Sequence, residues 1–280
     1  LYLKGGDISQ ELTEINIKNI NGVGDSIYQK IRLIIDTGTC PFYEKIKNDI
    51  DPRDEFLKVH AIGPGKANEL VNKGITSIEE LRKNKGLLNE KQTIGLKYFD
   101  ELNQKIPRDE IKKHETFLTK ILKEVNVNAT LTIAGSYRRG KNESSDIDVL
   151  LKMDKKDDYK RYIKQLRNIG YLIEDLAMGT KKYNGISKLG SKGIPRRIDI
   201  MYTTQYEYPF AILYFTGSGE FNQRMRKEIN QEGYSINEYN LKTIPPNKHQ
   251  RGKIVNHTFN CEKDIFDYFN LEYIDPKERV

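Results

Sequence analysis

Apolar residues at Phe117, Leu118, Ile121, Leu122 and Val125 recur three and four apart, which predicts a long amphipathic helix packed under a sheet. Val125, Val127, Ala129, Leu131 and Ile133 alternate and predict a strand that delivers its backbone to a tight loop at Gly135. Ile147, Val149, Leu150 and Leu151 form a short run that reads as a buried strand, with Asp146 and Asp148 at alternate positions. Their carboxylates therefore leave one face together. Ile198 and Ile200 bracket Asp199 in a second such run, so Asp199 points away from the core as those two do. Between the two strands the pattern predicts a solvated turn over 154–158, a helix near 159–169, strand-like pieces, and a short loop over 189–194. The run 210–216 stops at Gly217. Beyond it Phe221, Met225 and Ile229 lie four apart on a helix whose opposite, exposed face carries Asn222 and Arg226.

The first hundred residues are helical in pattern. Ile27, Ile31 and Ile34 follow the turn Ile20-Asn21-Gly22-Val23-Gly24-Asp25 at helical spacing. The same apolar-Gly-x-Gly form returns in Val59-His60-Ala61-Ile62-Gly63-Pro64-Gly65-Lys66-Ala67, with Leu70 and Val71 behind it. Each is a helix, a tight loop and a second helix, which points backbone N–H groups at a single phosphate without reading a base. Short helices fill 75–106: Ser77 is an N-cap with Glu79 and Glu80 in the first turn, and Ile94, Leu96 and Phe99 supply apolar contacts. Pro107 marks a boundary.

Composition narrows the partners. A net charge of +7 over 280 residues favours a polyanion, and the absence of a basic amphipathic membrane helix or a bilayer-length apolar run favours nucleic acid over lipid. The mean hydropathy of −0.70 fits a soluble chain with no membrane partner. Cys40 and Cys261 make neither a disulfide framework nor a zinc pattern, which fits a reducing intracellular compartment. His257 and Cys261 have the spacing of two ligands on one helix face, and no role is assigned to them. Leu1 in place of Met suggests that the natural amino terminus lies upstream, and the many Asn, Lys and Ile residues fit the AT-rich genome of a virus or microbe.

The chemistry concentrates in Gly135-Ser136-Tyr137-Arg138-Arg139-Gly140, followed by Lys141-Asn142-Glu143-Ser144-Ser145 and Asp146-Ile147-Asp148. Gly135 lets main chain and ligand approach, Ser136 offers a hydroxyl, and Arg138 and Arg139 offer forked donors for phosphate oxygens. Two carboxylates held close in a buried strand repel one another unless a cation lies between them or one is protonated. A metal site explains the pattern. The bland alternatives are a charged hairpin in which the arginines pair with Asp146 and Asp148, and an Asp199 that pairs with Arg196 or Arg197.

In order along 17–279, these pieces resemble the family X DNA polymerases, their beta and lambda branches most of all. The resemblance also rests on Ile94-Gly95-Leu96-Lys97-Tyr98-Phe99, Ile106-Pro107-Arg108, Arg197-Ile198-Asp199, Leu213-Tyr214-Phe215-Thr216-Gly217-Ser218, Ile236-Asn237-Glu238-Tyr239 and Glu262-Lys263-Asp264-Ile265-Phe266-Asp267-Tyr268. It implies an α+β fold, with a nucleotidyltransferase palm of mixed sheet and helices between helical helix-hairpin-helix domains and a small α+β thumb. The implied domains are a truncated lyase-like helix-hairpin-helix domain over 1–46, a second helix-hairpin-helix subdomain over 47–110, the palm over 111–205 and a nucleotide-selecting subdomain over 206–280.

By the same resemblance the chain is a template-directed, gap-filling DNA polymerase of base-excision or related repair, without proofreading. It implies that Asp146, Asp148 and Asp199 bind two Mg²⁺ ions, with Mn²⁺ able to replace them. Arg108, Ser136, Arg139, Ser144 and Ser145 would serve the dNTP phosphates, and Tyr214 and Phe215 the sugar, with a backbone bend at Gly217-Ser218. Asn222 would meet the minor-groove edge of the nucleotide. Arg226, Arg197 and Tyr239 would contact DNA. Gly22, Gly24, Gly63 and Gly65 would hold strands on either side of a gap or nick, with Na⁺ or K⁺ at the hairpin loops. A monomer in a nucleus or a viral replication site follows.

Departures from the family pattern bear on this. Lys30 aligns with the family's deoxyribose-phosphate lyase nucleophile, but Ser26 and Phe42 stand where basic residues hold a 5′-phosphate, which argues against that activity. Gln223 replaces a template-stacking lysine, Gly219 an aspartate, and Met201 an arginine. The connection before Arg196 is too short for the loop of template-independent members. The alternatives are another nucleotidyltransferase of the superfamily and a non-catalytic helix-hairpin-helix DNA-binding protein.

Overall fold

Why the chain folds as it does is clearest in a computed structural model, which describes residues 24–41, 51–245, 247 and 250–279. It divides into two units, residues 1–57 with 63–83, and residues 58–62 with 84–280.

In the first unit, α1 (Asp25–Thr37) begins at Gly24 and stops at Gly38, whose φ of 69° provides the left-handed cap. Then come α2 (Pro52–Phe56), α3 (Pro64–Asn72) and α4 (Ile78–Lys83), with α2 packed on α3. Pro64 stands at the first position of α3, where its missing N–H costs nothing, and Gly63 is the extended N-cap. Ser77 caps α4 as the pattern predicts, its Oγ accepting from the Glu80 N–H at 3.2 Å. Gly22 and Phe42 lie outside the described residues.

The second unit opens with α5 (Glu90–Lys97), started by a capping box between Asn89 and Gln92, and α6 (Phe99–Leu102). The strand β1 (Ile106–Pro107) leads into α7 (Arg108–Val125). Next are β2 (Thr130–Ile133), the one-turn helix α8 (Gly135–Arg138), β3 (Glu143–Ser144), β4 (Ile147–Lys152) and α9 (Lys156–Asn168). The strands β5 (Leu172–Met178), β6 (Lys182–Ser187) and β7 (Arg196–Thr203) complete a sheet of order β2-β4-β7-β6-β5. Only β4 and β7 run parallel in it.

Alternation assigns the two faces of that sheet. Ile147, Val149 and Leu151 of β4, with Ile198, Ile200 and Tyr202 of β7, are buried against Ile111, Leu118 and Leu122 of α7 and Tyr159, Tyr162 and Ile163 of α9. Leu150 and Met201 take the other face, against Ala211 and Ile212 of α10 (Tyr208–Thr216). Met201, where the family pattern has an arginine, is thus fully buried in apolar contact. The opposite side of α10 gives Phe210 and Leu213 to a second core with Phe221, Met225 and Ile229 of α11 (Gly219–Gln231). The hairpin β8 (Tyr234–Ile236) and β9 (Leu241–Thr243) and the helix α12 (Glu262–Tyr268) close that core. Because both sides of α10 are covered, its sequence shows no polar stripe.

Three readings of the pattern are corrected. The strand predicted from Val125 starts only at Thr130, since Val125 ends the stripe of α7 and Val127 is 70% exposed. The turn between is built by the Asn126 side chain, which accepts from the N–H groups of Asn128 (2.9 Å) and Ala129 (3.2 Å). Asp158 is not in a solvated turn but buried at the start of α9, accepting from Asn126 and Arg161, each at 2.7 Å. His257 and Cys261 share no helix: Cys261 precedes α12, and the His257 ring packs on Phe259 at 4.7 Å.

Candidate active site

The parallel register of β4 and β7 sets Asp148 directly beside Asp199, and Asp146 ends the turn that enters β4. One oxygen from each of the three carboxylates falls within 4.8 Å of the others. They form part of the wall of a cavity of about 800 Å³. Burial, then the neighbouring Asp199, push the Asp148 carboxyl up to about 7, against the pull of Arg139. Repulsion on that scale is what a divalent cation on hard oxygen ligands relieves, so this donor set fits Mg²⁺.

The structure shows neither of the bland pairings: Arg138 pairs with Glu262, Arg139 donates to the Thr216 carbonyl, and Asp199 takes neither Arg196 nor Arg197 as an ion-pair partner. Arg197 is ion-paired with Asp146, whereas Arg196 is buried on Glu110 (Nε to Oε1, 2.7 Å) and does not touch Asp199. Asp199 instead accepts from the Asn184 side-chain amide at 2.6 Å.

Gly135 explains the approach of the α8 backbone to the carboxylates. Its φ is +54°, and a Cβ there would lie 1.9 Å from Asp148 Oδ2. Gly135→Ala is expected to cost about 1–2 kcal/mol for the left-handed backbone and to turn the Asp148 carboxylate out of the cluster. Cation binding should then fall further than the melting temperature predicts, as calorimetry of both would show.

The loop predicted at Gly135-Ser136 is a single helical turn. Ser136 Oγ donates to Ser144 Oγ at 2.7 Å, which ties that turn to β3, and Ser144 is buried beneath it. Ser145 accepts from Lys105 Nζ at 2.8 Å. Arg139 reaches across to the Thr216 carbonyl at 2.5 Å, and burial draws its basicity below that of a free guanidinium. The bend expected at 217–218 is present: Gly217 has φ +67° and its peptide bond to Ser218 is cis.

Among the residues read from sequence, Ser136, Arg139, Ser145, Tyr214, Phe215, Gly217, Asn222, Arg197 and Arg226 line the cavity with the three aspartates. Asn222 and Arg226 lie beside the apolar row of α11, half-buried, and not on its outer face; Asn222 donates to the Tyr214 carbonyl at 2.8 Å. Arg108 stands apart from the lining. Its guanidinium stacks on the Tyr137 ring at 3.9 Å and donates to the Tyr137 carbonyl at 2.6 Å, bracing the turn that ends α8. Tyr239 lies next to Lys182, whose Nζ is 5.7 Å from its ring. Gly24, Lys30, Gly63 and Gly65 are exposed in the first unit.

Lys182 and Asn184 line the cavity and were not singled out from sequence. The signal was available only through pairing: in Lys182-Tyr183-Asn184 the outer two positions share a face, and antiparallel register puts Asn184 opposite Asp199.

The comparisons with known proteins agree with this geometry. The DNA polymerase beta palm matches residues 105–205, the DNA polymerase beta thumb residues 211–280, and the fingers domain of DNA polymerase lambda residues 54–103. DNA polymerase lambda of Arabidopsis thaliana is 28% identical over 94% of this chain, and that of Rattus norvegicus 30% identical over 93%. The chain spans about half the length of these relatives, 53% and 48%. With fingers, palm and thumb matched in that order, and the three aspartates clustered inside the matched palm, the chain belongs to the family X DNA polymerases.

Proposed function

We propose that the chain is a template-directed, gap-filling DNA polymerase of DNA repair, which transfers a dNMP from a dNTP to a primer 3′-hydroxyl without proofreading. The observation that carries this reading is the carboxylate cluster of Asp146, Asp148 and Asp199 on the wall of a cavity lined by Arg139, Tyr214, Asn222 and Arg226. These three aspartates would hold two Mg²⁺ ions, or Mn²⁺ in their place, supplying Lewis-acid activation of the 3′-hydroxyl and neutralising the triphosphate.

The protein's own groups do the rest. Ser136, Arg139 and Ser145 bind the β and γ phosphates, with Ser144 holding Ser136 and Arg108 bracing the turn. Tyr214 and Phe215 form the floor under the sugar and exclude a 2′-hydroxyl, and Gly217 brings the backbone close to it. Asn222 reads the minor-groove edge of the incoming nucleotide, while Arg226, Arg197 and Tyr239 position the template and primer strands. The Gly-x-Gly segments at Gly22 and Gly24, and at Gly63 and Gly65, would grip gapped or nicked DNA through backbone N–H groups, and their carbonyls would hold Na⁺ or K⁺. Lys30, which aligns with the family's lyase nucleophile, lies exposed on α1, and Ser26 and Phe42 in place of basic residues argue against lyase activity. The protein acts as a monomer, in a nucleus or a viral replication site; among the described residues no helix is long and apolar enough to cross a membrane.

The test is single-dNTP addition to a one-nucleotide gap bearing a 5′-phosphate, with Mg²⁺. Template-matched extension by the chain, abolished in Asp199→Ala with DNA binding retained, is the expected result. Extension that survives the substitution, or binding without extension by either protein, would overturn the reading.

A further inference from the structure

The antiparallel register of β6 with β7 sets Asn184 opposite Asp199, and the parallel register of β7 with β4 sets Asp199 opposite Asp148. The three side chains therefore form one row across three strands and open into the same cavity. Asp199 thus has a carboxylate on one side and a neutral amide on the other. The amide nitrogen of Asn184 donates to Asp199 Oδ1 at 2.6 Å.

We infer that Asn184 is a positioning residue that orients the third carboxylate for divalent-cation binding. The inference rests on the metal-dependent reading given above. The identity of the side chain is what the chemistry requires. A Lys or Arg here would also orient Asp199, but it would neutralise the carboxylate and compete with the cation, as Arg197 does at Asp146. An apolar side chain of the same size would leave Asp199 free to rotate. The amide engages one oxygen without adding charge, which fixes the carboxylate's rotation and leaves the second oxygen to a metal. Partners of this kind around metal ligands are worth roughly 10–100-fold in affinity.

The experiment is Mn²⁺ binding to the full chain by isothermal titration calorimetry, without DNA, alongside gap-filling kinetics. Asn184→Leu, similar in volume and without a donor, is expected to weaken Mn²⁺ binding about tenfold. It should also lower kcat at limiting Mg²⁺ and leave KM for the dNTP unchanged. Asn184→Gln keeps the amide and has room in the cavity, and is expected to restore Mn²⁺ affinity to within about threefold of the parent, well short of the roughly tenfold loss that removal of such a partner causes. Asn184→Leu binding Mn²⁺ as tightly as the parent would overturn the inference. So would Asn184→Gln falling as far as Asn184→Leu, which would mean that β6 needs the native side chain only for packing. Asp199→Asn separates the two readings. If it too binds Mn²⁺ as the parent does, the metal-dependent function itself fails; if it loses binding while Asn184→Leu does not, only the role of Asn184 fails.

Discussion

Asp148→Asn is expected to abolish nucleotide addition and, in metal-free protein, to make the fold more stable. Asp148 has ligand atoms close to those of both other carboxylates, and it sits where burial and Asp199 push its carboxyl up to about 7. Losing one ligand carboxylate removes several kcal/mol of metal-borne transition-state stabilisation, on the order of a 10³-fold or greater loss in rate. The stability effect has the opposite sign. The folded-state value lies above the ordinary carboxyl value of 3.8, so the folded chain holds a proton that the unfolded chain releases. Between about pH 4 and pH 7, stability therefore falls as pH rises, and above that window the full penalty of ionised Asp148 is present. Asn carries no such penalty. In EDTA the melting temperature of Asp148→Asn should match that of the parent near pH 4 and exceed it increasingly up to pH 8, by about 2–4 kcal/mol of stability. Added Mg²⁺ should close the gap by stabilising only the parent. Equal melting temperatures at pH 8 in EDTA would mean that the carboxylates do not repel as the geometry implies.

How much of this was legible before the structure depends on the kind of signal. The faces of β4 and β7 were, because alternation of apolar residues with Asp146, Asp148 and Asp199 is a purely local property. So was the end of the apolar run at Gly217, whereas the backbone bend there came from the family resemblance and not from the pattern. The boundary at Val125 was not: a valine that completes a helical stripe also begins an alternation, and the exposure of Val127 decides between them only in three dimensions. Asn184 was invisible for a related reason. Nothing in Lys182-Tyr183-Asn184 marks it until the register of β6 against β7 is known, and register is a long-range fact. Arg108 shows what a motif leaves out. The resemblance puts it near the dNTP phosphates, and only the structure shows its guanidinium on the Tyr137 ring and on the carbonyls of Tyr137 and Lys141.

Glu262→Ala is expected to be the most destabilising single change outside the apolar cores. Glu262 is buried at the start of α12 and accepts from Arg138 (Nη2 to Oε1, 2.6 Å), Arg279 (Nη1 to Oε2, 3.1 Å) and the Tyr273 hydroxyl (2.8 Å). Arg279 is 1% exposed, with its guanidinium among the rings of Phe221, Phe266 and Tyr273. Removing the one carboxylate leaves that cation buried without its counter-ion, which costs about 3–5 kcal/mol. For a chain of this size that is a drop of roughly 10 °C in melting temperature. The cluster also reaches the site. Arg138 donates to Thr216 Oγ1 at 2.7 Å, and the carbonyl of the same Thr216 accepts from Arg139, so the carboxyl-terminal strap holds the residue that aims Arg139 into the cavity. Against the cost of burial, the hydrogen bonds from Arg138 and Arg279 hold Glu262 below its ordinary value of 4.5. Its contribution is therefore present above about pH 4.5 and lost as pH falls below it, so the gap between parent and Glu262→Ala should narrow in acid. The double variant Glu262→Leu with Arg279→Met removes the carboxylate and the more deeply buried of its two arginines, leaving the 25% exposed Arg138 to water. It should recover part of the loss, because an apolar pair of similar volume suits a buried site as well as an ion pair does. If the double variant melts no higher than Glu262→Ala, the stabilisation comes from packing around Glu262 and not from neutralising Arg279.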